Sequence, residues 1–348
     1  MDLLSNEEVF EVISHLNIID RISLSKTSTR HKALVEAAAL PTVLNLLKRF
    51  TPKPSDLLRL IWSNSAVIGG PIAYTSLFPT EEPKEGNKLH IFVPASTQRS
   101  FLEALKTEFH FQFTDYQQIK TKHFIQHSIK KVLRLQNPQK ATITIYYSTE
   151  DSALFPIFHL SSTHDMNFIS AYGIYCAYPL FTLHKRTIIH PKAISKHRHD
   201  GEMQRVIDQY TSYGLQVHQS FQDLPHSQPQ HLCRTDIQCP HLIRSLYDKH
   251  GLFIQFKYDI TQTFLSNKIA YNETGVVWSL GGEECDIDMI VNEAFVKTTW
   301  LNNGKFNVIT IFYQRLIITI KKNNINIVGP SRFQTLEEES DHTGDESI

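Results

Sequence analysis

Two cysteines and two histidines lie close together in the sequence, as His231-x-Cys233 followed by Cys239-x-His241. Thiolate and imidazole groups are the ligands that Zn²⁺ prefers, so this segment is the first candidate for a metal site. The residues between the two cysteines include no glycine, and Pro240 stiffens the backbone between the last two ligands. Tetrahedral closure would therefore be strained, and we predict that the segment binds no zinc. We expect Cys239 to pack at the start of a helix that Pro240 opens.

The segment Ser161-Ser162-Thr163-His164-Asp165 contains every residue type of a Ser-His-Asp catalytic triad. Catalytic triads assemble from separated loops, because neighbours in sequence rarely converge as nucleophile, base and orienting group. We therefore predict that this segment begins a helix, with Thr163 or Asp165 as the N-cap.

A glycine pair at the end of a predicted strand, Ala66-Val67-Ile68-Gly69-Gly70, precedes a second predicted strand, Lys88-Leu89-His90-Ile91-Phe92-Val93. This arrangement resembles the signature of the nucleotidyltransferase fold. In active members of that superfamily a strand ends in Gly-Gly or Gly-Ser, a short helix follows, and the next strand carries Asp-x-Asp or Asp-x-Glu to hold Mg²⁺. A third carboxylate lies on a later strand. Here Lys88 and His90 occupy the two acidic positions, and the later strand-like segment 141–147 contains no carboxylate.

Mg²⁺ requires carboxylate oxygens, and a lysine at a ligand position would repel it. The resemblance therefore implies a catalytically silent domain with no cofactor, in which the degenerate motif consists of Gly69, Gly70, Lys88 and His90. The alternative is that the glycines form an ordinary strand-to-helix turn in another α/β domain. A second glycine pair, Gly281-Gly282, cannot restore the motif with Asp286 and Asp288, because three intervening residues cannot form the connecting helix.

The first 50 residues predict three short helices. Ser5 is a suitable N-cap for the first helix, with Glu8 three residues later, and apolar residues recur at helical spacing. The pattern resembles an F-box, although Ser5 stands where a proline is usual. The resemblance implies an apolar face that binds the adaptor of a ubiquitin ligase, and the candidate contact residues are Leu4, Val9, Ile13 and Leu16. The alternative is that these side chains close a small helical bundle against the next domain.

The composition limits the class of protein. A chain of 348 residues can form two or three domains with a buried core. Basic and acidic residues number 35 each, which gives no indication of general nucleic-acid binding. The sequence shows no secretory signal or apolar membrane segment, and its four cysteines are too few for a disulfide framework. We therefore expect a globular protein of the cytoplasm or nucleus that does not contact membranes.

The pattern of helices and strands predicts an α+β fold, with a three-helix F-box-like unit, a central mixed-sheet nucleotidyltransferase-like α/β domain, and C-terminal helices and strands. The predicted boundaries are 1–50, 51–190, 191–334 and an acidic, disordered tail at 335–348. The stretch from Ser162 to Ile169, with Cys176-Ala177-Tyr178-Pro179, adds a wider resemblance. From near the N-terminus to about residue 330, the chain resembles a family of uncharacterised F-box-like proteins abundant in mushroom-forming fungi.

Two functions follow as hypotheses. The first is a non-catalytic interaction protein, in which the helical start binds a ligase adaptor and the silent domain recognises an unknown protein or small ligand. The second is a divergent magnesium-dependent nucleotidyltransferase that has recruited replacement metal ligands from Glu81, Glu82, Asp286 or Asp288. We favour the first hypothesis, because reversing the charge at a ligand position strongly weakens a metal site.

Overall fold

A computed structural model describes most of the chain. The described residues are 4–79, 88–117, 127–190, 193–194, 202–223, 234–246, 248–257, 276–281, 295–298, 309–312, 317–321 and 324–328. The chain forms two compact units, Met1–Leu301 and Asn302–Ile348. The predicted boundaries after residues 50 and 190 both fall within the first unit.

The described residues form eight α-helices, all in the first unit. They are α1 (Asn6–His15), α2 (Ile18–Ser25), α3 (Thr29–Leu47), α4 (Pro54–Ser63), α5 (Gly70–Leu77), α6 (Gln98–Phe109), α7 (Pro179–Thr182) and α8 (Glu202–Ser212). The three N-terminal helices agree with the sequence prediction. None of the helices in the described ranges is both long enough and apolar enough to span a lipid bilayer.

The strands form one large sheet and several small ones. Their bounds are β1 (Val67–Gly69), β2 (Lys88–Val93), β3 (Gln112–Gln117), β4 (Ile129–Gln136), β5 (Thr142–Ser148), β6 (Asn167–Ile169), β7 (Gly173–Cys176), β8 (Arg186–Ile188), β9 (Gln216–His218), β10 (Arg244–Ser245), β11 (Leu252–Gln255), β12 (Val276–Ser279), β13 (Phe295–Thr298), β14 (Ile309–Phe312), β15 (Ile317–Lys321) and β16 (Asn324–Val328). Within the described ranges, the large sheet has eight strands in the order β11-β7-β6-β1-β2-β5-β4-β3. Its strands pair antiparallel except for β2 and β5, which are parallel. The fold therefore combines helices with a large mixed sheet, and this part of the predicted α+β architecture is confirmed.

The smaller sheets lie mostly in the C-terminal half. In the first unit, β10, β12 and β13 form one sheet, and β8 pairs with β9 in another. In the second unit, β14, β15 and β16 form an antiparallel sheet. The sequence predicts that the C-terminal strands form a second small sheet or extend the first. Strand β11 extends the large sheet, and the other C-terminal strands form small sheets.

The two faces of the large sheet are covered differently. Helices α3 to α6 pack on one face, where the core includes Ile68, Ile91 and Ile145. On the other face a second apolar cluster covers the middle of the sheet, around Phe92 and Trp278. That second cluster does not extend over the whole of β5, β4 and β3, where polar residues occupy the same face. The sheet therefore has one face on which helices pack and one face that the second apolar cluster covers only in part.

The prediction that a helix begins at Pro240 is wrong. The described residues after Pro240 form turns, and β10 begins at Arg244. The Pro240 carbonyl accepts hydrogen bonds from the Ser279 hydroxyl (2.9 Å) and the Gly281 amide (2.9 Å), so this segment is bonded to the end of β12. Tertiary hydrogen bonds thus override the local preference for a helix start.

A buried ion pair fixes the same segment. The Arg244 guanidinium is 1% exposed and donates from Nε (2.6 Å) and Nη2 (3.0 Å) to the carboxylate of Asp248. Nη2 also donates to the Ala177 carbonyl just beyond β7 (2.8 Å), and the guanidinium lies 4.7 Å from the ring centre of Tyr178. Burial alone would raise the pKa of Asp248, but the hydrogen bonds and charge of Arg244 outweigh burial and hold it below the ordinary value.

Replacing Asp248 with asparagine should destabilise the first unit by about 3–5 kcal/mol, because it leaves the Arg244 charge buried without a counter-ion. The folded-state pKa of Asp248 is depressed, so its stabilisation is complete above the ordinary carboxyl pKa of about 4 and is lost as the pH falls below that value. Urea unfolding of both proteins between neutral and acid pH measures this. The control is Asp115→Asn, which removes a half-exposed pair with Arg134 and should cost less than about 1 kcal/mol. Equal effects of Asp248→Asn and Asp115→Asn would contradict a special stabilising role for the buried Arg244–Asp248 pair.

Candidate functional site

The glycine turn between β1 and α5 is tightly packed by side chains of β2. Gly70 has a φ of +62°, a left-handed conformation that favours glycine. A Cβ atom at Gly70 would lie 2.5 Å from Nδ1 of His90, and one at Gly69 would lie 2.5 Å from Cε2 of Phe92. Real Cβ atoms essentially never make contacts this short, so a side chain at either position would force a ring of β2 to move. The close approach of the chain's own side chains thus accounts for the glycine pair.

Strand β2 is the direct neighbour of β1, as the sequence predicts. The two strands are antiparallel, and Gly69 pairs with His90. Side chains alternate along β2, so Lys88, His90 and Phe92 lie on the partly covered face of the sheet. Lys88 and His90 therefore lie on the strand next to the glycine turn, as the sequence predicts.

The strand register extends these positions into two rows of side chains across four strands. Residues paired directly across neighbouring strands lie on the same face. The first row is Lys88, Thr142, Gln136 and Gln112, and the second row is His90, Thr144, Arg134 and Asp115. We call these eight residues the polar face. The later strand β5 contributes two threonines to the polar face and no carboxylate.

The polar face carries two fixed positive charges and one carboxylate. Lys88 is exposed and forms no ion pair in the described part of the chain. Arg134 and Asp115 approach to 3.6 Å with both side chains about half exposed, at 51% and 54%. The remaining threonine and glutamine side chains can donate hydrogen bonds. This arrangement attracts anions and repels divalent cations.

An aromatic cluster joins the polar face to the apolar cluster around Phe92. The Tyr146 ring on β5 stacks on Phe92 at a centroid distance of 4.7 Å and meets the edge of His90 at 5.3 Å. Both His90 and Tyr146 are partly exposed, whereas Phe92 is buried. These rings hold β1, β2 and β5 together beside the glycine turn.

No metal cluster is present where the chain is described: none of those residues form a group of three or more His, Cys, Asp or Glu side chains that could hold an ion. The replacement ligands that the enzyme hypothesis requires, namely Glu81, Glu82, Asp286 and Asp288, lie outside the described residues. Of the zinc candidates, His231 and Cys233 also lie outside them. Cys239 is buried, and its sulfur accepts a hydrogen bond from the Arg234 amide (3.2 Å); His241 is buried as well.

The segment that contains the residue types of a catalytic triad joins several elements of the fold through hydrogen bonds and ring contacts. We call its residues Ser162, His164 and Asp165, with their partners Tyr74 and Tyr210, the hub. A short 3₁₀-helix runs from Thr163 to Asp165, and its N-cap is Ser162 rather than Thr163 or Asp165. Asp165 accepts hydrogen bonds from the Ser162 hydroxyl (3.2 Å) and from the hydroxyl of Tyr210 on α8. Burial, followed by the charge of Asp165, raises the pKa of Tyr210 well above its ordinary value, so the phenol stays protonated and donates. The serine, as a donor to Asp165, is not arranged as a nucleophile activated by a base.

His164 completes the hub. Its ring lies between Tyr74 of α5 (4.2 Å between centroids) and Tyr210 (5.8 Å). Burial lowers the pKa of His164 to about 3, which keeps the ring neutral at physiological pH. Tyr210 could not have been found from the sequence, because it lies 45 residues beyond Asp165 and no local pattern connects the two.

The N-terminal unit has its own apolar cluster. Ser5 and Glu8 form the predicted capping box at the start of α1. Val9 and Ile13 are fully buried against Val35 and Ala38 of α3. Leu4 and Leu16 are partly exposed, and Ile19 on α2 is 38% exposed. Of the four predicted contact residues, the structure thus leaves Leu4 and Leu16 accessible and uses Val9 and Ile13 to hold α1 on α3.

Comparisons with protein-family models, curated proteins and solved structures found no match to this chain.

Substituting Gly70 with alanine should destabilise the first unit more than the same change at Gly214. Both glycines have positive φ, but a Cβ at Gly214 meets no atom within 4 Å, so Gly214→Ala isolates the backbone cost of about 1–2 kcal/mol. The collision with His90 should add about 1–3 kcal/mol at Gly70. Thermal or urea unfolding measures both values. In a His90→Ala background the excess at Gly70 should disappear. An equal cost at the two glycines would show that His90 does not press on the turn.

Proposed function

We propose that this chain is a non-catalytic interaction protein with a nucleotidyltransferase-like domain that has lost metal-dependent chemistry. The observation that carries the proposal is the composition of the polar face beside the glycine turn. Lys88 and His90 stand at the positions of the acidic ligands, and the neighbouring positions of β5 are Thr142 and Thr144. A site with this charge would not attract the Mg²⁺ that phosphoryl transfer requires.

The strand arrangement supports the nucleotidyltransferase-like frame of the proposal. A helix, α5, connects the glycine turn to the neighbouring strand that holds the two motif positions. The His90 ring then packs on Gly70 and against Tyr146. A side chain of the protein itself therefore fills the position above the turn, which favours a binding role over catalysis.

The N-terminal helices supply the second part of the proposal, in which the chain is a substrate-recognition subunit of a ubiquitin ligase in the cytoplasm or nucleus. Three helices with their own apolar cluster form a module that does not depend on the polar face. Its accessible apolar residues include Leu16, the C-cap of α1, and Ile19 on α2. A partly exposed apolar patch of this kind is suited to contact with another protein.

If the N-terminal unit binds a ligase adaptor, the purified chain should retain the adaptor in a pulldown, and Leu16→Asp should reduce retention at least about tenfold, because a charge would be buried in an apolar contact. Leu180→Asp is the matched control, because Leu180 on α7 is 55% exposed and lies outside the helical unit. Circular dichroism confirms that both variants are folded. Failure of the unaltered chain to retain the adaptor, where an established F-box protein retains it, would contradict this part of the proposal.

A further inference from the structure

We propose that the polar face docks an extended segment of a partner protein that carries two carboxylates about four residues apart. The inference rests on the proposed interaction function and names the chemistry of the partner at that site. It follows from the charges, the hydrogen-bond donors and the dimensions of the polar face.

The charges select an anionic partner. Lys88 is exposed and unpaired in the described residues, so its ammonium group can bind a carboxylate without breaking an existing contact. Arg134 is held only loosely by Asp115, at 3.6 Å with both side chains half exposed. A guanidinium has five N–H donors, so Arg134 can bind a second carboxylate while it stays near Asp115.

The side chains between Lys88 and Arg134 can donate hydrogen bonds to acceptor groups of a bound segment. Thr142 lies partly exposed on β5 between Lys88 and Arg134, and Gln136 lies in the first row on β4. Thr144, in the second row, is only 5% exposed and is not part of the accessible surface. Hydroxyl and amide groups can donate, whereas a carboxylate only accepts hydrogen bonds. Gln136 already uses its amide as a donor, to the Lys140 carbonyl (3.2 Å). Thr142 and Gln136 can therefore donate hydrogen bonds to carboxylates and backbone carbonyls of a bound segment.

The dimensions favour a polypeptide over a small molecule. Neighbouring strands are about 4.8 Å apart and alternate residues along a strand are about 6.7 Å apart, so Lys88 and Arg134 are separated by about 12 Å across the sheet. In an extended segment, residues four apart lie on the same side and are separated by about 13 Å. Small-molecule sites are usually concave clefts, whereas these residues stand on the face of a sheet with both cations exposed. Two carboxylates at this spacing can reach both cations at once.

The test uses the full chain and a fluorescein-labelled nine-residue peptide of alanine and serine with glutamate at positions 3 and 7. Fluorescence anisotropy at low salt should show saturable binding that weakens as the ionic strength rises. The same peptide with glutamine at both positions should bind at least about tenfold more weakly, because both charge pairs are lost. Equal binding of the two peptides would overturn the inference.

Charge-reversal variants locate the site. Lys88→Glu and Arg134→Glu should each weaken binding of the glutamate peptide about fivefold to tenfold. The matched control is Lys53→Glu, an exposed residue that precedes α4 on the opposite face of the sheet, and it should leave the affinity unchanged. Thermal unfolding confirms that all three variants are folded. An equal loss in Lys53→Glu, or no loss in the two polar-face variants, would overturn the inference.

Two further outcomes separate this inference from the proposed function. If ATP displaces the peptide at concentrations well below those of free glutamate peptide, the site prefers phosphates and the inference is wrong. If the glutamate peptide fails to bind while the same preparation retains the ligase adaptor, the inference is wrong and the interaction function still stands.

Discussion

The close packing of two aromatic side chains against two glycines is the constraint on which this structure most depends. His90 and Phe92 lie so near Gly70 and Gly69 that a Cβ at either glycine would displace one of the two rings. This contact helps to fix the register of β1 against β2, and β2 in turn pairs with β5, the one parallel pairing of the large sheet among the described strands. The side chains of β2 and β5 then determine which groups form the polar face. The packing of these two rings on the glycines therefore helps to set the geometry of the candidate site, and the strand register places the charged residues on it.

The hub around Asp165 has a different role. It joins the short helix at residues 163–165 to α8 through Tyr210, and to α5 through the contact of His164 with Tyr74. Two of its groups are held in one protonation state by burial, which leaves His164 neutral and Tyr210 protonated. The residue types of a catalytic triad therefore serve to position helices. Residue type without geometry is a poor guide to catalysis, because the same side chains make equally good structural hydrogen bonds.

The sequence predicted features that depend on local chemistry. Ser5 and Glu8 form the expected capping box, because both partners lie within one helical turn. Lys88 and His90 lie beside Gly69, because a strand, a short helix and a strand leave few ways to pack. The helix expected after Pro240 failed, since Ser279 and Gly281 bind the Pro240 carbonyl from a distant strand. Arg134 and Tyr210 were missed for the same reason, because only long-range strand register and helix packing bring them to the site.

An assay for magnesium-dependent nucleotide transfer by the purified chain tests directly whether the domain is catalytically silent. The chain would be incubated with Mg²⁺ and ATP labelled at the α-phosphate, and transfer of the label to protein, nucleotide or RNA acceptors would be measured together with pyrophosphate release. Because Lys88 and His90 beside the glycine turn would repel Mg²⁺, we expect no signal above a sample without protein. Pyrophosphate release that requires Mg²⁺ and is lost in the Glu81→Gln, Glu82→Gln double variant would show that the domain is an enzyme.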